Sequence, residues 1–492
     1  MSIPQCLRVT LLVLGGGLSG ACTVGPDFVR PTTVTSSSYT SAVMATQTST
    51  AGGDAQHFHA GAEIPANWWA LFKSEPLDAQ LRFAIDHNPT LQSAEASLRQ
   101  SQDRLRAGYG VFYPHAELAA GATRERSAPL QQGLQTRSAV FNLLTLSGTL
   151  SYALDAFGAE RRTVEGLQAQ VDDQYYLGKA AYLTLTANVV NTLIARAAYM
   201  EELAAVAQLL ALEDEQLQAA DGLYQSGVGA YANVLAIRSL IAANRAQLAP
   251  LEQKVSETSH LLATLAGGLP SDPAPPAIAL ASMALPLDIP LSLPSQLTRQ
   301  RPDILSAEAN LHAASAAIGV ATAAMFPSIS LSATYGSAAS TVNGFGDSAG
   351  RFWSLGPAVS LPLFQGGTLW YGREAARDAF VQAQASYRQV VLSAFAQVAD
   401  SLDALQHDAE LLQAQIDARD AAAAALALQR ASYAAGMVPF SEVIVLDVQY
   451  HQALLGSLQA LAQRQQDTVA LFIALGGGWW NDPAATIAAQ PR

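Results

Sequence analysis

The sequence predicts a mainly α-helical chain that contributes four strands to a transmembrane β-barrel completed by other copies of itself. Three observations predict this. The chain is internally duplicated, each copy carries a pair of strands with period-two alternation, and each copy carries a helical stretch far longer than a globular core needs. The duplication is read from two spacings. Asn88-Pro-Thr-Leu-Gln-Ser-Ala-Glu-Ala-Ser-Leu98 recurs as Arg301-Pro-Asp-Ile-Leu-Ser-Ala-Glu-Ala-Asn-Leu311, and Pro89/Pro302, Pro114/Pro327, Ser93/Ser306, Glu95/Glu308 and Leu118/Leu331 all lie 213 residues apart. Farther on, Tyr224/Tyr433, Gly227/Gly436, Val234/Val443 and Gly267/Gly476 are offset by 209. A unit of about 210 residues has been repeated in tandem.

Each copy opens with a helix. Asn88 and Pro89 supply a cap followed by proline at the first helical position, and Leu91, Ala94, Leu98 and Leu105 keep helical period until Gly108-Tyr-Gly110 and Pro114 end it. The strands follow. Leu146, Leu150, Tyr152 and Leu154 alternate with Thr145, Ser147, Thr149 and Ser151. Ile329, Leu331, Ala333 and Tyr335 alternate with Ser328, Ser330, Ser332 and Thr334, and Trp353, Leu355, Val359 and Leu361 with Ser354, Gly356, Ala358 and Ser360. A half-buried sheet in a soluble domain gives the same alternation. The barrel reading is favoured by a polar face of Ser and Thr rather than Lys and Glu, and by Tyr152, Tyr335 and Trp353 on the apolar face. Four strands close no useful barrel, and an open edge in lipid leaves backbone groups unsatisfied. Three chains would give twelve strands.

The long helical stretches run from Glu160 to Tyr224 and from about Arg373 to Tyr433, without proline. Val164, Leu167, Val171, Tyr175, Tyr182, Leu185, Val189 and Leu193 mark the apolar stripe of the first; Tyr387, Val391, Ala394, Val398, Leu402 and Leu405 mark that of the second. At 1.5 Å per residue each spans roughly 100 Å, which implies coiled-coil packing. Each ends at Tyr-x-x-Gly, where Gly227 or Gly436 permits a left-handed turn into a returning helix.

Residues 1–21 read as an export signal, and Cys22, after small residues, as a lipid-acceptor cysteine, the alternative being ordinary signal cleavage beside an incidental cysteine. Residues 22–66 read as an extended, lipidated tether, 67–270 as the first repeat, 271–295 as a proline-rich linker, 296–478 as the second repeat and 479–492 as a tail. Strands are expected at about 114–156 and 327–363, and hairpin tips near 225–230 and 434–440. A net charge of −13 argues against a nucleic-acid partner, which would want a basic face. Only Cys6 and Cys22 are cysteines, so the body of the chain holds no disulfide framework or thiolate zinc site. No nucleotide-binding, metalloprotease or nucleophile-elbow motif occurs, and no catalytic or metal site is expected. His57-Phe-His59 is the one close histidine pair. The tips differ between copies: Glu442 and Asp447 stand where the first copy has Asn233 and Arg238, so an Arg238–Asp447 pair between neighbouring hairpins is one expectation and two solvated residues the other.

Cys22-Thr-Val-Gly-Pro-Asp-Phe-Val-Arg-Pro31, Trp68-Trp69, Arg301-Pro302-Asp303-Ile304 and the paired Tyr-x-x-Gly tips resemble the outer-membrane efflux proteins, the TolC-like channel-tunnels. They are similar above all to the lipoprotein branch that serves resistance–nodulation–division (RND) pumps. The resemblance implies a homotrimeric, passive duct: a twelve-stranded barrel in the outer membrane continued by a periplasmic α-helical barrel. It implies no enzyme activity and no cofactor beyond covalent diacylglycerol and an N-acyl chain on Cys22. The implied partners are outer-membrane lipid, a periplasmic adaptor (membrane fusion) protein at the Gly227 and Gly436 turns, and an inner-membrane RND-type pump. Glu442, with Asp447 and Arg238, falls at the implied aperture. The competing reading is a lipid-anchored periplasmic coiled-coil adaptor or scaffold without a pore.

Overall fold

A computed structural model describes residues 23–32, 38–40, 45–126 and 137–482; Cys6, Cys22, the signal segment and residues 483–492 lie outside them. In chain order the elements are β1 (His57–Ala60), α1 (Glu75–His87), α2 (Pro89–Gly108), β2 (His115–Arg126), β3 (Val140–Leu154), α3 (Ala159–Gln225), α4 (Tyr231–Arg245), α5 (Leu248–Leu265), β4 (Asp288–Leu291), α6 (Pro294–Gln300), α7 (Pro302–Ala323), β5 (Ser328–Ala339), β6 (Arg351–Ser360), α8 (Thr368–Ala434) and α9 (Phe440–Ala474). The chain divides into two units. One combines Ser97–Gln174 and Ser306–Tyr387 with the described part of Met1–Pro31; the other takes in Thr32–Ala96, Tyr175–Leu305 and the described part of Arg388–Arg492. Among the described residues no helix is long and apolar enough to cross a membrane.

The first unit holds a four-stranded antiparallel sheet in the order β2-β3-β5-β6. Its register gathers the apolar positions onto one face. Leu118 lies opposite Gly148, Leu150 opposite Ala116 and Ala333, and Tyr152 opposite Leu331. Tyr335 faces Trp353, and Ala333 faces Leu355. On the other face Thr149 lies opposite Thr334, their hydroxyls 3.2 Å apart. A one-residue slip would exchange the two faces, so the pattern itself fixes the register.

Residues 23–31 do not behave as a loose tether. The Val24 N–H donates to the Phe157 carbonyl (3.0 Å). Asp27 accepts from the buried Arg162 (2.6 Å), the Phe28 ring stacks on His312 at 4.3 Å, and Arg30 pairs with Glu308. Glu308, one of the recurring carboxylates, is thereby a buried partner for this strap.

In the second unit the segment expected as tether is again packed. β1 pairs in parallel with β4, and Thr48, Ala51 and Gln56 are buried. Gln56 donates to the Thr468 hydroxyl (3.0 Å) and accepts from Arg464 (3.2 Å), which is itself buried. His59 bonds Asp288 (2.9 Å) across the β1–β4 pair. The proline-rich stretch is likewise no free linker: Leu280, Met283, Ile289 and Leu291 are buried, and the Met283 carbonyl accepts from Gln465 (2.9 Å). Proline forbids a helix there but not a pinned extended chain. The expected tail also begins docked, with the Trp479 indole donating to the Gln300 carbonyl (2.8 Å) and Asn481 to that of Ile64 (2.8 Å). Trp68, Phe72, Leu77 and Leu81 are fully buried, Trp68 against Phe472 at 5.6 Å. Each such side chain contributes roughly 2–3 kcal/mol.

The duplication is visible in the bonds. Asn88 caps α2 through Thr90 N–H (2.8 Å), while its amide donates to the Leu265 carbonyl (2.8 Å). At the matched position Arg301 donates to the matched carbonyl, Ala474 (2.8 Å), and also to Asp303 and Gln397. Two different side chains thus join the start of each repeat's first helix to the end of its last. The copies part company in the returning helix. α9 is unbroken over 35 residues, whereas the first copy stops at Arg245 and restarts at Leu248. Pro250 is the reason: it cannot donate to the Ala246 carbonyl and its ring crowds that group. Gln459 occupies the matched position in the second copy.

Candidate functional site

Both hairpin tips are built by the same hydrogen bonds. Gly227 N–H donates to the Tyr224 carbonyl (2.9 Å) and Val228 N–H to that of Leu223 (3.0 Å). Gly436 donates to Tyr433 (2.9 Å) and Met437 to Ser432 (3.0 Å). This is the Schellman arrangement, which needs a left-handed residue at the turn; Gly227 has φ 82° and Gly436 φ 74°. An aromatic pair closes each tip: Tyr224 on Tyr231 at 5.0 Å, Tyr433 on Phe440 at 5.1 Å. Phe440 and Val443 enter one apolar cluster with Val234, Ile237, Val206 and Leu426, which ties the two hairpins together. That explains why the second tip carries Val438-Pro439-Phe440: Pro439 caps α9 and Phe440 fills the cluster.

The charges sit otherwise than expected. Asp447 is buried, and its partner is Arg430 on the same hairpin, not Arg238. Arg238 is exposed. Glu442 is exposed and accepts from Gln429. Of the three aperture candidates, then, the second tip brings two together on one hairpin, with Asp447 turned inward and Glu442 outward. Around Asp447 the structure assembles groups the sequence did not single out. Glu213 is fully buried and accepts from the Asn244 amide (2.6 Å); burial, aided by the charge of Asp447, pushes its pKa up to about 7. Burial also raises the Asp447 pKa against the pull of Arg430, and lowers that of His451 against the pull of Asp447. One oxygen of Glu213, one of Asp447 and Nε2 of His451 have no hydrogen-bond partner among the described residues. The signal for Arg430 was present: shifted by 209 it becomes Asp221, so Asp221/Arg238 and Arg430/Asp447 are the same two positions with their charges exchanged. Glu213, Asn244 and His451 match alanines at 422, 453 and 242, and no repeat signal could have found them.

The sheet presents its apolar face outward. Leu118, Leu146, Leu150, Leu331, Tyr335, Leu355 and Val359 are exposed, and Trp353 is 74% exposed. A contiguous apolar face of this kind has to meet lipid or protein.

The outer membrane efflux protein family model matches residues 81–268 and 293–477, one block for each repeat. The pyoverdine export outer membrane protein OpmQ of Pseudomonas putida is 31% identical over 423 residues, covering 84% of this chain and 88% of OpmQ. Outer membrane protein OprJ of Pseudomonas aeruginosa is 29% identical over 473 residues, 94% of each chain. Among solved structures, the outer-membrane channel OprN matches with a TM-score of 0.84 at 26% identity, over 93% of this chain and all of that one. These matches set aside the reading as a poreless adaptor or scaffold. The chain belongs to the outer membrane efflux protein family and serves an efflux system as its outer-membrane channel component.

Proposed function

We propose that three copies join their sheets into one closed twelve-stranded barrel in the outer membrane, and that their long helices continue it as a periplasmic α-helical barrel. The observation that carries this reading is the sheet itself. β2 and β6 form its two edges, and neither has a second neighbour among the described residues, while the apolar face stands open. In lipid those edge N–H and C=O groups must be paired, and identical copies do this with no further element. The wall carries no chemistry; it is a passive, non-enzymatic path for small molecules, driven by an inner-membrane RND-type pump. The tips are the docking surface for a periplasmic adaptor, supported by the exposed Leu223, Val228, Leu428 and Met437 around the Gly227 and Gly436 turns. Glu442 is the aperture carboxylate and Asp447 locks the hairpin that bears it. Cys22 carries the lipid anchor, and the strap that starts at Thr23 transmits that anchor to the first unit.

Native mass spectrometry of detergent-extracted protein tests the reading. A trimer with an acyl adduct on Cys22 is expected. A monomer that stays in solution without detergent would refute the barrel, and a trimer lacking the adduct would refute the anchor alone.

A further inference from the structure

The first unit contains one contact between the two repeats and the uncovered halves of a second. In the covered contact β3 of the first repeat pairs with β5 of the second, Ser151 opposite Ser332 and Tyr152 opposite Leu331. The helices beside these strands also meet. Glu165 of α3 bonds His312 of α7 (2.9 Å), and Asp173 accepts from the Asn310 amide (2.9 Å). The matched elements are β6 and α8 on one side, β2 and α2 on the other. β5 is β2 moved on by 213 residues, and the two hairpin registers then make β6 equal to β3 moved on by 209. α8 likewise begins 209 residues after α3, and each has 67 residues.

Burial follows the same division. Arg162, Ala169 and Asp173 of α3 are buried, as are Ala309 and Ala316 of α7. Their counterparts Tyr371, Asp378 and Gln382 of α8, and Ala96 and Asp103 of α2, are exposed. Surfaces covered in one repeat and bare at the matched positions of the other lack the neighbour that their twins have.

The bare surfaces are complementary in the way the covered ones are. Carried over by the two offsets, the β3–β5 register sets Ser360 of one chain opposite Ala119 of the next, and Leu361 opposite Leu118. The apolar face then continues across the seam. Glu374 takes the place of Glu165 and Arg99 that of His312, so the acid is kept and its partner becomes a permanent cation. Glu374 accepts from Arg373 and Arg377 of its own helix (3.0 and 2.9 Å) chiefly through Oε1, which leaves Oε2 for a further donor. Repeated head to tail, such a contact generates a ring wherever its rotation closes.

We propose that neighbouring copies meet by repeating the chain's internal contact, β6 on the next copy's β2 with Ser360 opposite Ala119, and α8 on the next copy's α2 with Glu374 bonded to Arg99. This rests on the joined-sheet reading and adds to it the register, and the ion pair that selects an identical partner.

The test is disulfide trapping in isolated outer membranes. Within one chain residues 119 and 360 lie on opposite edges of the sheet, at least three strand spacings of about 4.8 Å apart, so a bond between them joins two copies. Ser360→Cys with Ala119→Cys should give covalent trimer on oxidation. Ser360→Cys with Glu117→Cys or Gly121→Cys, two residues away on the same face, should give at least ten-fold less. Should Ser360→Cys not assemble, Ser354→Cys with Glu125→Cys reads the same register. Arg99→Glu should lower the trimer that survives in detergent several-fold, and Glu374→Arg added to it should restore most of the loss. Trapping through a shifted pair, or trimer by native mass spectrometry without trapping at either expected pair, would overturn the proposal and leave the trimer standing. Losses that add in the double variant would overturn the Glu374–Arg99 bond. Wild-type protein found only as monomer would overturn the joined sheets themselves, and the register with them.

Discussion

Leu146 and Ser147 are adjacent on β3 and point to opposite faces, so the same substitution at each reports which face meets lipid. Leu146 lies near the middle of the 15-residue strand, opposite Ala120 and Ser337. Ser147 lies opposite Ala119 and Gly336, small neighbours on its own face. Arginine near the bilayer midplane on the lipid face costs about 2–4 kcal/mol. In the proposed trimeric barrel the three copies raise that to about 6–12 kcal/mol, comparable with the whole stability of a typical domain. On the other face the guanidinium is left in water, and Ser147→Arg should cost no more than about 1 kcal/mol per copy. Assembly is read from the amount of trimer in isolated outer membranes, and from urea titration after refolding into lipid vesicles. Leu146→Arg should abolish or greatly reduce trimer while Ser147→Arg assembles. Equal assembly of the two variants, or the reverse order, would refute the assignment of faces and with it the barrel.

Further outcomes follow from the buried charges and the backbone. Between the ordinary carboxylate range and about 7, Glu213 holds a proton in the folded chain that the unfolded chain has lost, so stability falls as pH rises through that window; Glu213→Gln should flatten the fall and melt higher than wild type at pH 8 but not at pH 4. Arg430→Ala strands the buried Asp447, whereas Asp447→Ala frees a half-exposed Arg430, so the first should cost more, about 3–5 kcal/mol. Because burial already raises the Asp447 pKa, lowering the pH should rescue Arg430→Ala and not Asp447→Ala. Pro250→Ala should fuse α4 and α5, read as slower amide exchange over residues 247–251; unchanged exchange would clear Pro250 of causing the break. Arg162→Ala removes both the Asp27 and Glu165 contacts (2.6 and 2.7 Å) and should expose residues 23–31 to limited proteolysis.

How much of this was legible depends on whether the signal was local or repeated. Strand alternation is local, and the register of β3 on β5 follows once the apolar face is known. The tip turns are local too, since Tyr-x-x-Gly contains both ends of the hydrogen bond that makes the turn. In the segments expected as tether and linker the residues that are held have different distant partners, so they leave no period. Gln56 is held by Thr468 and Arg464, Tyr39 donates to the Ser292 carbonyl (2.8 Å), and Leu280 N–H donates to Glu201 (2.8 Å). A low-complexity composition cannot distinguish such a pinned chain from a free one.

Duplication adds a second kind of signal, and its failures are informative. Where both copies need the same contact, the repeat preserves the geometry and lets the residue change: Asn88 and Arg301 reach matched carbonyls with different chemistry. Where the copies serve different ends, the positions persist and the charges do not. The pair at 430 and 447 is Arg then Asp, buried on the Asp side and directly bonded. The matched pair at 221 and 238 is Asp then Arg; there Asp221 accepts from Gln225 (2.9 Å) and Arg238 is exposed. Only the second copy turns its pair inward, toward Glu213 on the first copy's helix, whose own pKa registers the charge of Asp447. A buried ion pair next to a carboxylate that titrates near neutrality adds little stability and is costly to break from one side. Such an arrangement suits the locking role proposed for Asp447, and the asymmetry between the two copies lies at the second tip.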